Sequence, residues 1–241
     1  GNNKKEIWMI GVRWVRIFFT VLFLFASFLN LPKGGAMTIH ECGQSIVLPP
    51  PSLEGKVSLE ASLKNPRSVR SYTQEPLSVE DIGQLLWAAQ GITSRQKFRT
   101  APSAGALYPL EVYVACGNVK DLPGGIYRYI VHQHRLEPVR NGDHRKELAS
   151  AALGQSCIRE APAVIIFTGV PSRITSKYGQ RGIQYMMMEA GHAAQNVCLQ
   201  AVARQLGTVP VGAFKENQIR ETLQIADDQL PLYLIPVGKT P

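Results

Sequence analysis

Three short clusters in this chain carry residue types with chemical use. In Asn65-Pro66-Arg67-Ser68-Val69-Arg70-Ser71-Tyr72, two guanidiniums and a hydroxyl fall within four residues. Such a set holds a phosphate by charge-assisted hydrogen bonds, and it serves equally as a solvated face. In Pro102-Ser103-Ala104-Gly105-Ala106-Leu107-Tyr108-Pro109, the prolines and Gly105 impose an irregular backbone. Small Ser103 and Ala104 there let main-chain amides approach a flat ligand closely. In Val209-Pro210-Val211-Gly212-Ala213-Phe214, Pro210 and Gly212 bracket a rigid turn suited to presenting an N–H to an acceptor. Taken singly, each cluster also reads as a plain connection.

Hydrophobic periodicity predicts the elements that must position them. Ser78 is a good N-cap with Asp81 three residues on, and Ile82, Leu85, Leu86 and Ala89 share one face of a helix that Gly91 ends. Residues 110–115 and 126–131 read as strands, and 143–153 as a helix. Residues 163–168 form a continuous apolar run rich in β-branched side chains, the mark of a buried strand. A long helix over 183–206, closed by Gly207, a shorter one over 216–224 and a strand over 232–237 complete the series. Strands and helices mix without βαβ alternation, so the expected class is α+β.

Composition and motifs exclude several functions. The chain of 241 residues has a formal charge of +8, but Lys4, Lys5, Arg13, Arg16 and Lys33 against Glu6 place half of that excess in the first forty residues. No zinc-finger spacing or aromatic-basic RNA motif accompanies it, which argues against a nucleic-acid partner. Cys42, Cys116, Cys157 and Cys198 stand far apart without a C-x-x-C pair, so no metal site is expected. Neither G-x-G-x-x-G nor G-x-x-x-x-G-K-[ST] occurs, which removes the two commonest nucleotide-binding folds.

The order R-S-x-R-x-[FY], PSAGALYP before a strand, EAGHAAQN (189–196) and VPVGAF resembles the nitroreductase-like flavoprotein superfamily. PSAGALYP and EAGHAAQN resemble its azoline-dehydrogenase branch, often called SagB-type. The resemblance covers about 65–239. It implies a mostly antiparallel sheet flanked by helices, a homodimer built on the long helix, and FMN at the dimer interface. By position it assigns Arg67, Ser68 and Arg70 to the FMN phosphate and the pyrimidine edge of the ring. Pro102, Ser103 and Ala104 become a wall along the isoalloxazine, normally reaching over from the other subunit. Val211 and Gly212 become the turn whose N–H faces flavin N5, and Lys239 a basic phosphate contact. Lys177-Tyr178 resemble the acid/base pair of azoline dehydrogenases; the plain alternative is an exposed loop lysine beside a packing tyrosine. Two departures stand out: Ala106 replaces an Asn of ordinary nitroreductases, and Pro66 replaces a common Arg.

Ahead of these motifs, residues 17–31 form an apolar run behind a basic stretch and before Gly34, Gly35 and Ala36. That order is expected of a signal peptide or membrane anchor over 1–36, with a proline-marked linker over 37–52 and an FMN domain over 53–241. An exported or tethered enzyme results. The function expected is an FMN oxidoreductase with ping-pong hydride transfer, taking NAD(P)H as donor and a small-molecule or peptide substrate. The alternatives are an azoline dehydrogenase acting on a modified peptide, which an exported enzyme suits less well, and a non-catalytic FMN-binding protein.

Overall fold

A computed structural model describes residues 44–241; the basic and apolar leader and Cys42 lie outside the described residues. Its centre follows from the run AVIIFTG. Val164 and Ile166 project to one side and Ile165 and Phe167 to the other, all fully buried. A strand apolar on both faces needs cover on both.

The strands are β1 (Ile46–Val47), β2 (Leu110–Cys116), β3 (Gly125–Ile130), β4 (Arg135–Asn141), β5 (Ala163–Gly169), β6 (Leu206–Thr208) and β7 (Leu230–Lys239). They make one sheet in the order β1-β4-β3-β2-β5-β7-β6, with every pairing antiparallel. The helices are α1 (Leu59–Lys64), α2 (Val79–Gln90), α3 (Arg145–Ala151), α4 (Ser156–Glu160), α5 (Pro171–Tyr178), α6 (Arg181–Ala203) and α7 (Glu216–Leu223). Side chains of α2, α5 and α6 join one apolar cluster with Ile165 and Phe167, and those of α3, α4 and α7 join a second with Val164 and Ile166. The expected α+β class with helices flanking an antiparallel sheet is what the chain adopts.

Local chemistry sets the element ends. The Ser78 hydroxyl accepts from the Asp81 amide at 3.1 Å, and the Asp81 carboxylate accepts from the Ser78 amide at 3.0 Å. Asp81 also receives Arg204 Nε at 2.7 Å, tying the start of α2 to the end of α6. Ser78→Ala is expected to cost about 1 kcal/mol, read as a lower urea midpoint at unchanged slope; an unchanged midpoint would deny the cap its role.

Three expectations need correction. Part of the 37–52 stretch enters the sheet, because Ile46 and Val47 pair with β4 and Leu48 is buried. The long helix stops at Ala203, and Gln205 turns the chain through a left-handed φ of +58° into β6. Gly207 is therefore a strand residue. A Cβ there would lie 2.6 Å from Val69 Cγ1, so glycine serves close approach between β6 and the 65–72 segment. Lys177 and Tyr178, expected in a connection, end helix α5, which starts with Pro171 at its first turn.

Candidate active site

The segment with Arg67 and Ser68 is clipped to the sheet edge. Ser68 makes a parallel bridge to Thr208, and the Val69 amide donates to the Thr208 carbonyl at 3.0 Å. Beside it opens a cavity of about 500 Å³. Arg67 and Ser68 form one wall, Gln195, Cys198 and Val202 of α6 another, and Gly207, Pro210 and Thr240 close it. Arg67 is the only charged residue among those lining it. Its guanidinium is exposed and bonds only to nearby carbonyls, those of Pro66 (2.6 Å) and Lys64 (3.4 Å).

The turn after β6 is held to the sheet by Val211, whose amide and carbonyl both pair with Leu234 at 2.8 and 3.0 Å. Gly212 follows, exposed, with its N–H unpaired among the described residues and only Tyr233 within 4 Å of a built Cβ. A cavity lined by one guanidinium and by the hydroxyl residues Ser68, Thr208 and Thr240, with a free amide two residues beyond its lining Pro210, is a cradle for an anionic, flat ligand. The residues present fit FMN.

Two expected contacts stand apart. Arg70 is exposed but does not line the cavity. Lys239 Nζ pairs with Glu75 at 2.6 Å, and its neighbour Thr240 lines the cavity instead.

The Pro102–Pro109 loop is a second centre. Gly105, Ala106 and Tyr108 have φ of +62°, +54° and +47°. Left-handed non-glycine residues cost of order 1 kcal/mol each and persist only when their surroundings impose them. Here the Ser103 hydroxyl accepts from the Tyr108 amide at 2.8 Å, and the Arg99 guanidinium covers the Tyr108 ring at 4.1 Å. The loop receives Lys177 and Tyr178: a Cβ on Gly105 would fall 2.8 Å from Tyr178 Oη and 2.9 Å from Lys177 Nζ. The structure thus brings the expected acid/base pair onto the expected ring wall. Neither the loop nor the pair lines the Arg67 cavity.

One residue was missed. Glu189 in the middle of α6 is 2% exposed, and neither carboxylate oxygen has a hydrogen-bond partner. Burial pushes its pKa up from 4.5 to about 7, against the opposing pull of Ser103, Arg99 and Gln90. The signal available in the sequence was a lone acid between Met186-Met187-Met188 and Ala190-Gly191. Because the folded pKa lies above the unfolded one, the native state binds more protons between pH 4.5 and 7. Its contribution to stability is present below that window and lost as pH rises through 7. Glu189→Gln is expected to abolish this loss, gaining about 3 kcal/mol over wild type at pH 8 relative to pH 4. Urea unfolding at the two pH values checks it; equal differences at both would contradict it.

The model of the Nitroreductase family matches residues 63–239 of this chain. A Methanocaldococcus jannaschii protein described as a nitroreductase is 44% identical over 200 residues, covering 82% of this chain and 98% of the relative. The trifolitoxin operon protein TfxC of Rhizobium leguminosarum is 27% identical over 210 residues, 80% of this chain and 58% of the relative. Among solved structures, a Ralstonia eutropha protein described as a nitroreductase aligns with a TM-score of 0.74 at 28% identity, over 84% of this chain and 92% of that one. A chain of the Escherichia coli microcin synthetase complex with truncated pro-microcin bound aligns with a TM-score of 0.64 at 22% identity, over 90% and 86%, a likeness of fold.

Proposed function

This chain belongs to the nitroreductase family of oxidoreductases, and from that premise we propose that it is an FMN-dependent enzyme working by ping-pong hydride transfer. The observation that carries the reading is the cavity of about 500 Å³ with Arg67 and Ser68 on one wall and Pro210, which leads into the Val211–Gly212 turn, on another side. When bound, the flavin supplies the hydride chemistry. Arg67 and Ser68 hold its phosphate, Arg67 as the charged donor. Gly212 offers an N–H to negative charge that develops on the ring, and its lack of a side chain leaves the approach open. Pro102, Ser103 and Ala104 supply a wall that excludes water. NAD(P)H serves as electron donor.

The Arg67 cavity and the Pro102–Pro109 loop meet when two copies assemble. Four of the five alanines of α6 do not serve that contact: Ala190, Ala193, Ala194 and Ala201 are buried inside their own chain. The exposed face of the helix instead carries Met187 and Met188, 46% and 52% exposed, with His192 and Gln195, and α1 adds Leu59 and Leu63. Soft methionine and leucine surfaces of this kind suit a second copy. The leader supports an exported or membrane-tethered location.

A second reading, an azoline dehydrogenase acting on a modified peptide, is favoured by Lys177 and Tyr178 converging on Gly105. In it, Lys177 and Tyr178 move a proton to and from the substrate. Lys177→Met and Tyr178→Phe are then expected to lower turnover by a factor of about 100 to 10,000 with flavin content unchanged. Anaerobic stopped-flow reduction by NADH or NADPH separates the readings. Rapid bleaching that survives both substitutions supports the nicotinamide-dependent reductase. Loss of peptide-azoline oxidation in both supports the dehydrogenase. Bound FMN that no donor or substrate reduces would overturn both in favour of a storage protein.

A further inference from the structure

Glu189 does nothing in the mechanism above, yet among the described residues it is the one side chain with two buried, unpartnered oxygens. A carboxylate 2% exposed with neither oxygen bonded is costly to keep. Beside it the Gln90 side-chain nitrogen, on a fully buried residue, is also unpaired. Gln90 spends its other atom as acceptor for Arg99 Nη1 at 2.9 Å, and Arg99 in turn covers the ring of Tyr108. The Ser103 hydroxyl accepts from the Tyr108 amide. One of its two lone pairs is engaged there, its own proton remains to be given, and Glu189 is the buried acceptor near it. Everything around Glu189 therefore ends on the same strained loop.

We infer that Glu189 is a positioning residue: its carboxylate, unbonded in this structure, takes the Ser103 hydroxyl proton in a hydrogen bond when ionised and so holds the 102–109 loop in its left-handed conformation. The direction follows from donor and acceptor roles. An ionised acceptor makes a shorter and stronger bond than a neutral one, so the Ser103 proton is held most firmly by the carboxylate. Protonation removes the charge and leaves the loop to its own strain. Burial places that change near pH 7.

The charged and titratable groups facing this centre come from each element packed on it. Arg99 arrives from the connection after α2, and Tyr108 from the loop itself. Lys177 and Tyr178 arrive from α5 at Gly105. Glu111 of β2 and Arg173 of α5 act on Arg99 from further out, as Tyr129 of β3 feels Arg99. Arg99 stays cationic throughout the range, since arginine does not lose its proton in proteins. Glu189 is thus the one member of the cluster on which the pH change of the loop is placed.

The inference rests on the oxidoreductase reading for what the loop does, and on the loop geometry alone for how it is held. Two measurements keep these apart. The first is hydrogen–deuterium exchange of backbone amides 101–110 in the FMN-loaded full chain, wild type against Glu189→Gln, at pH 6, 7 and 8. Dividing wild-type by variant rates at each pH removes the intrinsic pH dependence of exchange. Wild-type protection is expected to match the variant at pH 6 and exceed it several-fold at pH 8; a flat ratio overturns the inference. The second is turnover against pH. Wild-type kcat is expected to rise through about pH 7 with little change in KM, and Glu189→Gln to flatten the rise. Glu189→Ala, lacking any acceptor, is expected to lower kcat about 10-fold or more at pH 8, with partial rescue in the Gln variant. An unaltered pH profile in Glu189→Gln counts against the inference. A chain that takes no flavin fails the oxidoreductase reading, and the exchange ratio, measured on the same chain, still decides the loop.

Discussion

Gly105→Val is expected to reduce turnover about 100-fold or more while the protein stays folded and keeps its flavin. Gly105 has a φ of +62°, where an L-residue, above all a β-branched one, is strained by about 1–2 kcal/mol. The added Cβ would stand 2.8 Å from Tyr178 Oη and 2.9 Å from Lys177 Nζ. Lys177 is exposed and yields by swinging away, whereas Tyr178 is half-buried against the apolar cluster and edge-on to Tyr185, so the strain falls on the placement of that pair. The cost then falls on geometry. A displacement of about 1 Å at a reacting group is enough for a 100-fold loss. Steady-state kinetics beside a thermal melt and a flavin spectrum check this together. Unchanged kcat in a folded, yellow variant would separate the loop from the reaction.

The second large effect belongs to Arg67. Removing its guanidinium in Arg67→Ala is expected to weaken FMN binding about 10- to 100-fold, the worth of one charge-assisted contact. No other charged residue lines the cavity, Arg70 does not reach it, and Lys239 is engaged with Glu75. Arg67 is exposed and bonds only to local carbonyls, so its loss leaves the fold intact. The loss is expected to shrink as salt is raised, because the contact is exposed to screening. Fluorescence titration of FMN into the flavin-free variant at two salt concentrations measures both. Equal affinity of variant and wild type would move the phosphate elsewhere.

What the sequence made legible follows where side-chain periodicity and punctuation coincide. The α2 helix was readable because Ser78 and Asp81 cap it and Ile82, Leu85 and Leu86 repeat on one face; the structure has both features. Strand β5 was readable as a doubly buried run, whereas its pairing with β2 and β7 and its register on them were not. Strand β4 was not seen, because RLEPVRN alternates poorly, contains Pro138 and is half exposed between β3 and the two residues of β1. Helix α5 was missed for want of an apolar stripe, since Ile174 is its one buried residue. Gly207 misled because glycine after a helix reads as a terminator, whereas its need arises from Val69, more than a hundred residues away in sequence.

The site divides in the same way. Local motifs pointed to Arg67, Ser68, the loop around Ser103 and the Val211–Gly212 turn, since backbone shape and small side chains leave marks in sequence. Which of them meet is a tertiary fact. That Lys177 and Tyr178 lie on Gly105, that Lys239 faces Glu75, and that Glu189 sits unpaired behind Ser103 all depend on packing between separate elements.

A flavin bound across two copies of the chain is the arrangement from which the other expectations follow. Reconstitution of the flavin-free protein with FMN, followed by absorbance and light scattering on a sizing column, tests that directly. The expected result is a yellow dimer with one FMN per chain, bleached by a hydride donor. Protein that stays colourless, or a strict monomer that retains FMN, would contradict it.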